Sequence, residues 1–157
     1  MNFELGETFS SIKEDFGIYV FRNGDKYIGE WKGKKMDGHG IYMFHNPDVT
    51  DTLTRVIYLG EFYNGRFHGF GKLGQFHDNV GQMIYCGEWI EGKKANLGLH
   101  YYQHPYIFYY GQWASDMKHG EGKLVFPNGE FSGTWEADKR QGPGKLRKTE
   151  GGVSQVS

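Results

Sequence analysis

The sequence predicts an all-β protein, an elongated and twisted single-layer antiparallel sheet of stacked β-hairpins. Three observations predict this fold: abundant glycine, abundant aromatic residues and an internal repeat. The 157 residues include 25 glycines, 12 phenylalanines, 11 tyrosines and 4 tryptophans. Glycine weakens helices and favours tight turns, whereas aromatic residues favour strands and are scarce in disordered chains. The internal repeat defines the structural unit of the fold, because aromatic and glycine residues recur at the same spacing along most of the chain.

A fixed spacing defines the repeat, counted from an aromatic residue at position 0. Glycine follows at positions 2 and 13 in every copy and at position 11 in four copies, and a second aromatic residue stands at position 4. One copy, residues 58–71, reads YLGEFYNGRFHGFG. The copies begin at Tyr27, Tyr58, Tyr85, Tyr109 and Phe131.

A degenerate sixth copy is predicted to precede these five. Counting back from Gly17 places its origin at Glu4, with Gly6 at position 2 and Thr8 at position 4. Residues 1–26 are therefore predicted to form a degenerate N-terminal repeat or cap, 27–144 the repeat domain, and 145–157 a flexible C-terminal tail.

Each unit is predicted to form one β-hairpin. Positions 0, 2 and 4 share one face of a strand, and position 3, occupied by Glu30, Glu61 and Glu88, lies on the other. The glycine between two rings leaves a notch for a neighbouring ring. The turn is predicted at the "xxGxxHG" stretch, with the second strand after it, as in 122–126. The third unit departs from the pattern with Ala95 and Asn96 at positions 10 and 11.

Charge and targeting signals narrow the class of protein. The net charge of −1, from 18 basic and 19 acidic residues, does not fit the basic balance of a nucleic-acid binder. Cys86 is the single cysteine, which excludes an internal disulfide and fits a reducing compartment. The N-terminal residues do not resemble a signal peptide, and no stretch is apolar enough to span a bilayer. A cytoplasmic location is expected.

Several residues invite a catalytic, cofactor or metal interpretation, and the repeat explains each of them better. The stretch 69–74, GFGKLG, fits G-x-G-x-x-G, yet no helix is predicted to follow it. His68 and His119 occupy the same position in different hairpins, so they form a ladder and not a metal cage. Cys86 lacks a recurring base. No catalytic residue, cofactor or metal site is predicted.

The pattern Y-x-G-x-W/F-x-x-G-x-x-H-G-x-G resembles the MORN repeat (membrane occupation and recognition nexus). Five stretches carry it: YIGEWKGKKMDGHG, YLGEFYNGRFHGFG, YCGEWIEGKKANLG, YYGQWASDMKHGEG and FSGTWEADKRQGPG. The resemblance implies a curved single-layer β-sheet with aromatic residues along a groove. It also implies a non-enzymatic role in protein scaffolding, membrane-proximal anchoring, or the assembly of a cilium, flagellum or cytoskeleton.

The aromatic row is the predicted binding site for a partner protein, because rigid rings make good anchors. We expect the rings to stack on each other and still be exposed at the top of a groove. Replacing Trp89 and Trp113 by alanine is then expected to abolish binding and leave the fold intact. The row comprises Tyr27, Trp31, Tyr58, Phe62, Tyr85, Trp89, Tyr109, Trp113, Phe131 and Trp135.

The alternative function is that of a peripheral membrane adaptor. A row of cations near the hairpin turns could contact anionic phospholipid headgroups, each contact contributing about 1 kcal/mol. Solvated turn residues are the simpler interpretation of the same row. A homo-oligomer formed through an exposed sheet edge is a further expectation. The basic row comprises Lys35, Arg66, Lys93, Lys118 and Lys139.

Overall fold

The computed structural model describes residues 15–46, 54–78, 80–102 and 106–148. They form one open, 11-stranded antiparallel sheet in which the order of the strands follows the chain. This confirms the predicted fold class. The strands are β1 Phe16–Val20, β2 Lys26–Lys32, β3 Lys35–Phe44, β4 Thr54–Tyr63, β5 Arg66–His77, β6 Val80–Ile90, β7 Lys93–Tyr101, β8 Phe108–Ala114, β9 Met117–Phe126, β10 Gly129–Glu136 and β11 Lys139–Lys148.

The turn of each repeat is shorter than the sequence predicted. Asn64 and Gly65, with φ of +52° and +82°, form the two-residue turn of the second unit, and β5 begins directly after them at Arg66. Positive φ at both positions defines the type I′ turn that suits the twist of a hairpin. The fourth and fifth units adopt it at Ser115–Asp116 and Ala137–Asp138. The second strand therefore starts at position 8, and the prediction of a turn extending to position 11 was wrong.

The His-Gly pair of the motif marks an irregularity inside the second strand. The register of the β4–β5 pair shifts between Gly60 and Glu61, and Gly69 in the partner strand has φ +55°. The Glu61 carboxylate lies against Gly69 and accepts a hydrogen bond from the Phe70 backbone N–H at 2.9 Å. A side chain at Gly69 would displace this carboxylate, which explains the glycine.

The same arrangement explains the departures in other units. Gln112 replaces glutamate at position 3 and accepts a hydrogen bond from the Glu121 N–H at 2.8 Å. Asn96 replaces glycine at position 11, adopts φ +49° and donates to Glu88 at 2.8 Å. Asparagine tolerates this conformation better than most residues. The glutamate row is structural, as expected, and the irregular third unit keeps the fold.

The two ends of the chain extend the pattern in different ways. β1 pairs with β2 so that Gly17 lies opposite Gly29, and the Trp31 indole N–H donates to the Gly17 carbonyl at 3.4 Å. Trp89 makes the equivalent bond to Gly71 at 3.3 Å, so β1 behaves as the second strand of a preceding hairpin. The predicted first strand of that copy, around Glu4, lies outside the described residues. At the other end, residues 145–148 belong to β11 and not to a tail, because they pair with β10.

Candidate functional site

The ten residues of the aromatic row line one face of the sheet, which we call the aromatic face. Their rings form a continuous zigzag, in which each ring at position 0 contacts the ring at position 4 of its own hairpin and of the next. Tyr58, for example, lies 5.2 Å from Phe62 and 5.4 Å from Trp89, both edge-to-face. Such contacts add about 0.5–1.5 kcal/mol per pair beyond the burial of area. All ten side chains are buried, and the four tyrosines are fully inaccessible.

Hydrogen bonds fix the polar tips of these rings. The Tyr58 hydroxyl donates to the Glu61 backbone carbonyl at 2.9 Å, and the other three tyrosines at position 0 repeat this bond. Burial raises the pKa of the Tyr58 hydroxyl well above its usual value, so it remains a donor. The ring lies over Gly60 and Gly71, where a side chain would overlap with it. The conserved spacing of aromatic and glycine residues thus encodes a packing unit.

A second layer of side chains at position 9, which we call the cap layer, covers the aromatic face. Phe67 stacks on Tyr58 with ring centroids 3.8 Å apart. The Lys94 ammonium lies 4.8 Å from the Trp113 ring centroid, and the Arg140 guanidinium lies 5.1 Å from that of Phe131. Sequence reasoning missed this layer, because its residue types differ from unit to unit. Its members are Met36, Phe67, Lys94, Lys118 and Arg140.

The cap layer corrects one expectation about the aromatic row. The rings do not stand exposed at the top of a groove: Trp89 and Trp113 retain only 4% and 5% of their accessible surface. Neighbouring rings and the cap layer occupy the space above them. The expectation that alanine at Trp89 and Trp113 leaves the fold intact therefore fails on packing grounds. Contact of the row with a partner stays a prediction.

The predicted basic row divides between the two faces. Lys35, Arg66, Lys93 and Lys139 occupy position 8 and lie on the face opposite the rings, since each pairs with a residue at position 5. Lys118 occupies position 9 and lies on the aromatic face. Its ammonium contacts Asp138 at 3.3 Å and the Tyr102 hydroxyl at 3.1 Å. The structure therefore places four of the five predicted cations together and removes Lys118 from their row.

A half-buried histidine adjoins two lysines of the cap layer. His100 on β7 packs edge-to-face on Trp113, and its Nδ1 lies 3.5 Å from the Lys94 ammonium. Burial, together with the positive charges of Lys94 and Lys118, lowers the pKa of His100 to about 4. Burial also lowers the pKa of Lys94. His100 is therefore neutral in the folded protein near neutral pH.

This environment predicts that His100 makes the fold sensitive to acid. Its folded-state pKa lies below the unfolded value of about 6.5, so the unfolded chain binds a proton first and stability falls as the pH drops from 6.5 towards 4. His100→Leu introduces the residue that the second and fourth units carry at this position, Leu73 and Leu124. Urea unfolding midpoints at pH 7 and pH 4.5 should differ less for the variant than for the parent. An unchanged difference would contradict the assignment.

The opposite face carries most of the exposed apolar side chains. Ile18, Ile28, Ile41 and Leu59 are paired in register across β1 to β4, forming what we call the apolar stripe. Phe16 and Phe70 lie beside it. Phe16, Leu59 and Phe70 are 55%, 52% and 51% exposed. Contiguous exposed apolar surface on a folded domain marks an interaction site.

An open hollow of about 520 Å³ lies over the apolar stripe. Phe16, Leu59 and Phe70 contribute to its apolar lining, and the carboxylates of Glu30 and Glu61 lie at its side. Glu30 is 3.8 Å from His39, and both side chains are well exposed. The hollow therefore combines an apolar floor with two carboxylates and one lysine side chain, that of Lys72 beside Leu59. The sequence analysis missed this hollow, although the alternation of side chains along each strand already placed these residues on the face opposite the rings.

Other candidate features have a local role. Within the described ranges, no group of three or more His, Cys, Asp or Glu side chains could hold a metal ion. Cys86 is partly exposed and sits between Lys72 and Leu99 on the face opposite the rings. His68 contacts Tyr63 with ring centroids 5.4 Å apart. No helix long and apolar enough to cross a membrane occurs among the described residues.

The fold and its two faces define a repeat protein built from β-hairpins that bury rings on one side and expose an apolar stripe on the other. The chain belongs to the MORN repeat family. The model of the MORN repeat matches residues 27–46, 58–73, 85–103, 109–130 and 131–153, more than half of the chain. The matched stretches start at the five origins of the repeat, which confirms the resemblance.

Two relatives share part of this sequence. The chain is 35% identical to MORN repeat-containing protein 3 of Xenopus laevis over 82 residues, which cover 51% of this chain and 32% of that protein. It is 28% identical to human Alsin over 123 residues, which cover 74% of this chain and 7% of Alsin. The chain thus spans a third or less of the curated relatives it matches. Homologous repeats occur within much longer proteins.

Proposed function

We propose that this MORN repeat protein is a non-enzymatic scaffold that binds a segment of a partner protein on the face opposite the rings. The exposed apolar stripe is the observation that carries this proposal. Glu30 and Glu61 beside the stripe outnumber the one lysine of the hollow, Lys72, and so favour a segment that combines apolar side chains with lysine or arginine. Family resemblance supports a cytoplasmic ciliary, flagellar or cytoskeletal assembly as the setting.

Structural roles for the polar candidates support a non-enzymatic function. The Glu61 carboxylate holds the backbone of Phe70, and Gln112 does the same for Glu121. Because this role recurs at position 3 of different hairpins, glutamate there serves the fold and needs no catalytic explanation.

A membrane role through the basic row has weaker support. The Lys35 ammonium donates a hydrogen bond to Asn64, and Arg66 pairs with Glu91 at 3.3 Å. Two cations of the basic row are thus already bound to protein groups, and a phospholipid headgroup would have to compete with those groups. The carboxylates of Glu30 and Glu61 share the same face and repel anionic lipid. The apolar stripe beside these two carboxylates therefore fits a protein segment better than an anionic bilayer, although the four cations of the basic row lie on the same face.

Leu59→Ser with Phe70→Ser tests the proposal. We expect the double variant to remain folded, because both side chains are about half exposed, and to lose at least about tenfold in partner affinity. Partners are identified by crosslinking from a photoreactive residue at position 59, and their affinity is then measured with purified proteins. Tyr110→Ser, on the same face but near the C-terminal end, is the matched control.

Two outcomes would contradict the proposal. Unchanged partner affinity in the folded double variant would show that the apolar stripe is not the site. Flotation with vesicles that depends on anionic lipid, and that is lost when Lys35, Arg66 and Lys93 become glutamine, would instead favour the membrane adaptor.

A further inference from the structure

β11 presents the same kind of edge that other second strands use to receive the next hairpin. The outer edge of β9 pairs with β10 so that Leu124 lies opposite Phe131, Gly122 opposite Gly133, and Gly120 opposite Trp135. β3, β5 and β7 receive their next strands in the same way. β11 is the last strand of the described sheet, and its outer edge is unpaired there.

The aromatic zigzag also stops at this edge. Tyr109 contacts Trp135 of the following hairpin, with centroids 5.4 Å apart. Phe131 contacts Trp135 of its own hairpin and the Arg140 guanidinium, and within the described sheet no later ring follows. Leu146 lies opposite Phe131 and is 56% exposed. At this edge, Leu146 and Phe131 therefore offer apolar surface against which the aromatic residues of one further strand could pack.

Charge distinguishes this edge from the four internal ones. β11 contains Lys139, Arg140, Lys145, Arg147 and Lys148 and no acidic residue, in a chain of net charge −1. Suppose that an added strand pairs with β11 as β10 pairs with β9, and that its first aromatic residue is again position 0. Lys145 then lies opposite position 1 of the added strand, and Arg147 lies opposite position −1. Lys145 has Ser132 on its other side, and the Glu130 carboxylate beside Arg147 already binds the Lys123 ammonium at 3.2 Å. Both cations are thus available to an added strand.

We propose that the outer edge of β11 binds an extended segment of a partner protein with the pattern acidic, aromatic, acidic, glycine, any residue, aromatic. The segment adds an antiparallel strand to the sheet. Its two rings lie beside Leu146 and Phe131, and its acidic side chains lie opposite Lys145 and Arg147. The same cations repel the β11 edge of a second copy, because pairing two such strands would bring rows of like charge together. This surface is separate from the apolar stripe.

Fluorescence anisotropy with the full chain and a labelled peptide containing Asp-Tyr-Glu-Gly-Thr-Trp tests the pairing. We expect Lys145→Glu with Arg147→Glu to lower the affinity for this peptide by about tenfold, because two pairs of opposite charges become pairs of like charges. A peptide with lysine at both acidic positions should bind the double variant better than the parent. Lys32→Glu with Lys34→Glu changes the net charge equally at exposed residues far from β11, and should have no effect. Absence of the charge-swapped rescue would overturn the proposal.

Backbone methylation separates strand addition from charge attraction alone. In an antiparallel ladder, alternate peptide N–H groups point towards the neighbouring strand. One version of the acidic peptide is N-methylated at every second residue, and the other version is N-methylated at the residues in between. Both versions keep the charge of the unmodified peptide. One version should lose binding and the other should keep it. Equal binding of both would show that the peptide does not form a strand on β11.

Discussion

Gly71→Ala is expected to destabilise the sheet by about 3 kcal/mol or more, or to prevent folding. The new methyl group would overlap with the hydroxyl end of the Tyr58 ring, which is fully buried. That ring cannot move away, since its hydroxyl donates to the Glu61 carbonyl and its face stacks on Phe67. Guanidinium unfolding followed by tryptophan fluorescence measures the change.

Gly74→Ala is the matched control on the same strand. A methyl group there meets its nearest neighbour, the Gln82 carbonyl, at 3.4 Å, an ordinary contact distance. This variant should lie within about 0.5 kcal/mol of the parent. Similar losses of stability in both variants would show that glycine serves β5 generally and not through the ring of Tyr58.

Trp89→Ala with Trp113→Ala should unfold the domain. Truncation of a buried aromatic residue costs about 3–5 kcal/mol, and two such changes approach the total stability of an ordinary domain, about 5–15 kcal/mol. Both indoles contact Tyr85, at 5.0 and 5.6 Å between centroids, so the two changes act on one cluster. Loss of the folded signal in circular dichroism and of cooperative unfolding is the expected result.

Ile90→Ala with Leu97→Ala is the control on the other face. These side chains are 46% and 49% exposed, so their truncation should leave the unfolding midpoint nearly unchanged. A folded Trp89 and Trp113 double variant would mean that the zigzag of rings contributes little to stability. Contact of the aromatic row with a partner could then be tested directly on that variant.

The spacing of aromatic and glycine residues predicted the hairpin repeat and its faces, because strand alternation is a property of the backbone. It placed each turn within a seven-residue stretch and did not resolve which two residues form it. Ser115 and Ala137 adopt φ of +50° and +47° although neither is glycine or asparagine, and only the next residue, Asp116 or Asp138, is of a type that tolerates a left-handed conformation. Ala137 itself carries no signal for positive φ in the sequence.

Exposure was harder to predict than topology. A single-layer sheet has two faces and no second layer to cover them, so rings such as Trp89 were expected to be accessible. Phe67 and Lys94 cover them at the same position of two units, one as a ring and one as an aliphatic chain with an ammonium end. Because these residues share no sequence signature, only the structure identifies the cap layer and assigns most of the accessible apolar surface to the other face.

The zigzag of rings makes this sheet a one-dimensional object. Each hairpin touches only its two neighbours, so unfolding should begin at an end of the sheet and proceed inwards one hairpin at a time. Amide hydrogen exchange would then be slowest in the central strands β5 to β7 and fastest in β1 and β11. By the same logic, adding or deleting a whole hairpin changes the length of the sheet without altering the packing of the hairpins that remain.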